Sequence, residues 1–402
     1  MKNLTAIFFI IPFVFTALNI QSFIGNFISV SLSQNFAYIN ILLLLGGTVL
    51  ILSDKERERF PGIILLWYLF YSLYYSIGFI ANEIHDFEAP FLKSSIPFIY
   101  FMAFSLFFSK SNNRDLFPKI LMITFTLANI LLIYFDRINF SLDHDGVTIY
   151  TLDRAGGVYG DANNAAVVGL LSIAFIYHYF KPKNRLEWAI KAICLIIALY
   201  GLFLTFSKTG FLVLLIIGIL LLRRYINVQK ILFILISVPI VIYLLYQHSF
   251  SNGTLSLVQK QRINDIINIL TLNTSEVSYS GRDVLLQNMM TYINENPILG
   301  NGVYFSTAIR GHNTIFGVWA DAGILCFVLF LLILLLYFIK SFAVDSNTKY
   351  FSLSVLTILF VFMLTLQTII NQGYLIAIFA FLAYSLEATR KKVSTEPKGL
   401  AI

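Results

Sequence analysis

Residues 319–339 read WADAGILCFVLFLLILLLYFI. A helix needs about 20 apolar residues, at about 1.5 Å each, to cross the ~30 Å hydrocarbon core of a bilayer. Outward from this run the same pattern recurs near 4–24, 36–53, 61–81, 93–109, 116–134, 162–180, 188–206, 209–222, 231–247, 350–370 and 372–388. Only backbone whose hydrogen bonds close within its own segment can lie in lipid as an isolated span, so each run is expected to be a helix. The expectation is an all-α integral membrane protein of about twelve transmembrane helices. Composition agrees: 58% of the 402 residues are hydrophobic and 12% charged, where a soluble domain is about half apolar and about a quarter charged. No polar stretch is long enough to fold as a separate soluble domain, so 1–402 reads as a single polytopic membrane domain. The first run, starting near Leu4, reads as a span because no small-residue cleavage site follows it.

Charge sets the orientation. With the N-terminus in the cytoplasm, the clusters Lys55, Arg57 and Arg59; Lys181, Lys183, Arg185 and Lys191; and Arg390, Lys391 and Lys392 all fall inside. That is the bias of cytoplasmic loops. Both termini are then cytoplasmic, and the net charge of +7 describes topology. No basic stripe interleaved with aromatics suggests nucleic acid. Cys194 and Cys326 lie in apolar runs and read as small buried hydrophobes. The basic residues left outside need a reason: Lys93, Arg137, Arg154, Lys208, Lys260, Arg262, Arg282 and Arg310.

Two outer loops are long, near 135–161 and 247–318. Loops of that length are commonly functional or disordered. The second is expected to be a large periplasmic or extracellular loop containing short helices, an amphipathic one over 257–272 and another over 282–294. The amphipathic helix suits either the membrane surface or a lid on the bundle. The first loop ends in DRAGGVYGDANN, 153–164, where three glycines permit sharp turns and Asp161 can cap the following helix. Arg154 can bind an anion through its planar fork, or pair structurally with Asp153 or Asp161. The second loop carries Ser280-Gly281-Arg282, then NPILGNG at 296–302, then Arg310-Gly311-His312-Asn313. His312 can act as a general base or hold a structural role. In Ser207-Lys208-Thr209-Gly210 the lysine requires a partner at membrane depth, or snorkels if the turn reaches the surface. No acidic cluster suggests a metal site.

These segments, in this order, resemble the bacterial O-antigen ligase/polymerase family of membrane glycosyltransferases. The resemblance rests on Arg154–Asn164, on Phe206–Gly210, on Ser280–Arg282 with Asn296–Gly302, and on His312-Asn313 followed after nine residues by Gly323-Ile324-Leu325. It departs from the family at Cys326, commonly a small or polar residue, and at Lys208, commonly arginine. It implies transfer of a glycan from undecaprenyl diphosphate to an acceptor hydroxyl on the outer face of the cytoplasmic membrane, without metal or cofactor. The acceptor would be a further lipid-linked glycan for a polymerase, or a lipid A-core sugar for a ligase. On that resemblance His312, Arg282 and Arg154 are the expected catalytic residues, and Lys208, Arg310, Asn313 and Asn163 bind substrate. The alternative class is a multi-helix secondary transporter or a lipid-linked glycan flippase. Against it stand the lack of an internal repeat and the clustering of ionisable residues in loops.

Overall fold

The computed structural model describes residues 2–54, 57–89, 91–140, 154–223, 256–270, 273 and 281–395. Among the described residues every regular element is helical. In chain order they are α1 (Lys2–Ala17), α2 (Ile20–Phe27), α3 (Val30–Leu52), α4 (Gly62–His85), α5 (Phe91–Phe107), α6 (Ser111–Arg137) and α7 (Ala162–Tyr179). There follow α8 (Arg185–Leu204), α9 (Lys208–Leu222), α10 (Leu257–Leu270), α11 (Arg282–Glu295), α12 (Phe305–Ala308), α13 (Thr314–Phe342), α14 (Ser346–Met363) and α15 (Gly373–Thr395).

The all-helical, membrane-like character stands, but the expected count of spans does not. Among the described residues six helices are long and apolar enough to cross a membrane: α3, α4, α6, α8, α13 and α14. A seventh arises only if α1 and α2, bent by 58°, count as one broken span. The reason is that apolarity measures what a run can bury, and not whether its helix stays continuous. The first run breaks at Asn19, which takes a left-handed φ of 48°. The runs at 93–109, 209–222 and 372–388 yield short apolar helices, Ser94–Phe107, Lys208–Leu221 and Gly373–Ala388. The run at 350–370 counts among the six as α14, although its helix stops at Met363. Helix α7 opens on Asn163-Asn164 and closes on Tyr177-His178-Tyr179, which shortens its apolar stretch. The span expected at 231–247 lies outside the described residues.

The chain forms two compact units, Met1–Ile120 with Gly281–Ile402, and Leu121–Ser280. Among the described residues no extracytoplasmic helical loop domain is resolved over the expected 247–318. Helix α10 belongs to one unit and α11 to the other, and the residues between them, apart from 273 and 281, lie outside the described set.

In the first unit α13 packs against α4, α14, α11 and α12, while α15 packs against α5 and α1. Its core is aromatic. Trp67 of α4 stacks on Tyr71 and donates its indole N–H to Tyr337 Oη of α13 at 3.1 Å. Tyr337 donates in turn to the Phe379 carbonyl of α15 at 2.7 Å. The indole N–H of Trp67 and the hydroxyl of Tyr337 thus both have partners, which buried aromatics with a polar handle require. In the second unit α7 is buried along most of its length and packs against α8 and α9. Small residues allow the close approach: a side chain on Gly210 of α9 would meet Ala166 Cβ of α7 at 3.2 Å.

Candidate functional site

In the second unit, the candidate residues gather where α8 gives way to α9. Helix α8 ends at Leu204, Phe206 turns left-handed with φ 45°, and Ser207 caps α9. The end of a helix leaves carbonyls without intrahelical partners. Two are taken by the incoming loop: Ala155 N–H donates to Leu204 O at 3.1 Å, and Arg154 Nε donates to Thr205 O at 3.0 Å. Asn163, buried at the start of α7, accepts on its Oδ1 from Ser207 Oγ at 3.0 Å and from Arg154 Nη2 at 3.4 Å. Asp161 caps α7 by accepting from Asn163 N–H at 2.9 Å. Arg154 is therefore held by its Nε side between two helix starts, α7 and α9, whose N–H groups favour anions.

Lys208, the first residue of α9, has a partner that sequence spacing does not reveal. Its Nζ lies 2.8 Å from Asp265 Oδ2 of α10, and the two side chains are 17% and 3% exposed. The amphipathic helix α10 is thus pinned to α9 by an ion pair.

In the first unit, α13 carries a break. Ala322 (φ −133°, ψ 18°) and Gly323 (φ 75°, ψ −177°) leave helical geometry. The NPILGNG segment fills the gap: Asn301 N–H donates to Ala320 O at 2.7 Å, Gly302 N–H to Asp321 O at 2.9 Å, and Ile324 N–H to Pro297 O at 3.0 Å. The fit is tight enough that a side chain on Gly323 would meet Ile298 O at 1.9 Å. Asp321, 4% exposed, accepts from Ser306 N–H at 2.6 Å and from Tyr74 Oη at 2.7 Å. Burial, and secondarily the Asp321 carboxylate, push the Tyr304 phenol well above its ordinary range, so it stays protonated.

The histidine lies on the turn that enters α13. Arg310 and His312 both adopt positive φ, 55° and 47°. Gly311 between them donates to Ser306 O at 2.9 Å, and His312 N–H donates to Gln367 Oε1 at 2.9 Å. Asn313 caps α13, accepting from Phe316 N–H at 3.0 Å, so its carboxamide has a structural task. Arg310 is exposed. Arg282 opens α11, directly after Gly281 at φ 74°.

Residues 193–331 match the family model of the O-antigen ligases. The match spans about a third of the 402-residue chain. It includes Lys208, Arg282, Arg310, His312 and Asn313, and leaves out Arg154 and Asn163. No curated protein sequence matches the chain. Among solved structures, a chain described under "Structural coordination of polymerization and crosslinking by a peptidoglycan synthase complex" is similar at 17% identity and a TM-score of 0.45. The alignment covers 81% of this chain and 97% of that one. A likeness of that size bears on neither fold nor function.

The structure brings Arg154 and Asn163 into contact and seats His312 and Asn313 at the start of α13. Arg154, Asn163 and Lys208 belong to one unit, and Arg282, Arg310, His312 and Asn313 to the other. Among the described residues no three His, Cys, Asp or Glu side chains converge as a metal site. Sequence reasoning missed Asp265, Asp321 and Gln367. An acid within the 319–339 run was the available signal for Asp321, since an ionisable group inside a span demands an explanation.

Proposed function

We propose that this chain is a membrane glycan-processing enzyme, and more specifically a glycosyltransferase of O-antigen polymerase or ligase type. It would move a glycan from undecaprenyl diphosphate to an acceptor sugar hydroxyl at the outer face of the cytoplasmic membrane. The observation that carries this reading is the His312 turn: a histidine held at positive φ by bonds on both sides, within the segment that matches the O-antigen ligases.

In the proposed reaction the acceptor oxygen attacks the anomeric carbon and the bond from that carbon to the diphosphate oxygen breaks. The proton of the attacking hydroxyl passes to the neutral imidazole of His312. The two electrons of the broken bond leave on the diphosphate, whose charge must be stabilised by groups already in place. Arg282, in the same unit as His312, is assigned that task, and Arg154, in the other unit, is assigned anion binding on the resemblance alone. Arg310, exposed beside His312, assists. Lys208 already shares its charge with Asp265 and is not assigned a direct clamp.

The broken helix α13 is also a transporter-like feature. Its free carbonyls, however, are taken by Asn301 and Gly302 amides from the same chain. The test is gene deletion in the native host, with complementation by wild-type and His312→Ala, and gel analysis of the surface polysaccharide. A single repeat unit replacing a ladder identifies a polymerase. Loss from the acceptor with long glycan retained on undecaprenyl diphosphate identifies a ligase. An unchanged profile removes both and leaves the transporter reading.

A further inference from the structure

We propose that Gln367 is a positioning residue for the reaction assigned to His312, acting through the main chain of the histidine. This rests on the reading of His312 as the base.

Helix α14 stops at Met363 and α15 begins at Gly373. The intervening segment is fastened by its own bonds. Leu366 N–H donates to Phe362 O at 2.8 Å, Asn371 N–H to Thr368 O at 3.0 Å, and Gln372 Nε2 to Thr368 Oγ1 at 2.9 Å. From it two groups reach the turn that carries the histidine. Gln367 Oε1 accepts from His312 N–H at 2.9 Å, and Leu366 O accepts from Thr314 Oγ1 at 2.5 Å. The two bonds straddle Asn313, and with Gly311 N–H on Ser306 O they fix the backbone before and after the imidazole.

The conformation needs such fixing. A non-glycine residue at positive φ is uncommon, and two of them, Arg310 and His312, flank one glycine here. Residues in sparsely populated backbone regions persist only when their surroundings over-determine them, and they cluster at functional sites. Without the Gln367 acceptor, His312 N–H loses a bond that holds this residue at positive φ, and φ can relax toward negative values. That rotation swings the Cα–Cβ bond and moves the imidazole. A displacement of about 1 Å at a reacting group can cost about a hundredfold in rate. Because the effect is on the direction of the base and not on substrate contacts, it should appear in kcat and spare KM.

The variants are Gln367→Met, which keeps length and shape but has no acceptor, and Gln367→Glu, which keeps the oxygen. Both are purified in detergent with wild-type and His312→Ala. The substrate is the lipid-linked glycan extracted from the deletion strain of the native host, with thermal midpoint measured alongside. The expected result is a ~10–100-fold fall in kcat for Gln367→Met with KM within about twofold, an unchanged midpoint, and recovery of most of the rate in Gln367→Glu. Wild-type kcat in Gln367→Met, with His312→Ala inactive, overturns the positioning role and leaves the histidine reading intact. Equal losses in Met and Glu variants that track a lowered midpoint overturn it in favour of a purely structural contact. Full activity in His312→Ala removes the histidine reading itself, and the positioning role with it.

Discussion

Gly323 offers the sharpest test of how the break in α13 is built. Its φ of 75° and ψ of −177° fall in a region that only glycine occupies readily. Substituting alanine there costs roughly 1–3 kcal/mol from backbone strain alone. The added methyl would also sit 1.9 Å from Ile298 O, so the NPILGNG segment must move away. That movement threatens the bonds from Asn301, Gly302 and Ile324 amides, each contributing about 0.5–1.5 kcal/mol. The expected loss is about 4 kcal/mol in total. Gly281 is the internal control. Its φ is 74°, but open space surrounds its missing side chain, so Gly281→Ala should cost about 1 kcal/mol. Both variants are compared with wild-type by tryptophan fluorescence during denaturant unfolding in detergent micelles. Equal destabilisation of the two would refute the argument that the close approach of Ile298 O and the extended ψ of −177° at Gly323, against 4° at Gly281, set the cost.

Three further outcomes follow from the same geometry. Lys208→Met leaves Asp265 buried without its cation and should cost ~3–5 kcal/mol, whereas Lys208→Met with Asp265→Leu should recover most of it; a double variant as unstable as the single one contradicts the pair. His312→Ala should lower kcat by about 10²–10⁴-fold, and wild-type activity should decline as pH falls and the imidazole protonates, a trend read from a rate–pH profile that would be flat if histidine were no base. Arg154→Lys and Arg282→Lys should each reduce kcat/KM by roughly tenfold or more, because lysine keeps the charge and loses the two-pronged fork; unchanged kinetics in both would count against bidentate binding of the diphosphate.

Part of this was legible in the chain. Asp161 reads as a helix cap from its place before Ala162-Asn163-Asn164, and it caps α7. That local signal needs no partner beyond three residues away. What the sequence hides is of longer range. Asp265 is the partner of Lys208 across 57 positions, and nothing in either local pattern announces the other. Gln367 falls within an apolar run read as one span, so a hydropathy argument absorbs it. The structure releases it because α14 unwinds at Met363. The surplus of expected spans has the same origin, since a window average does not register one left-handed residue such as Asn19. Asp321 was passed over because its neighbours are apolar, although a lone acid in such company is the one that most needs partners.

That last point links the break to the histidine. Non-helical backbone inside a membrane-like span is tolerable only where protein or water satisfies its freed groups. In α13 the carbonyls of Ala320 and Asp321 are freed, and amides of the NPILGNG segment take them. The Asp321 side chain then takes Ser306 N–H, four residues further on, while Ser306 O accepts from Gly311 N–H. Gly311 precedes His312, whose own N–H ends on Gln367. A continuous series of bonds therefore runs from the break, through the side chain of Asp321 and the main chain of Ser306, to the turn that presents the histidine. Tyr74 fixes the other carboxylate oxygen from α4. A buried carboxylate that satisfies only its own neighbourhood would be a poor substitute for an apolar residue, because desolvating it costs several kcal/mol. Its presence makes sense as the joint through which a broken span sets the position of His312.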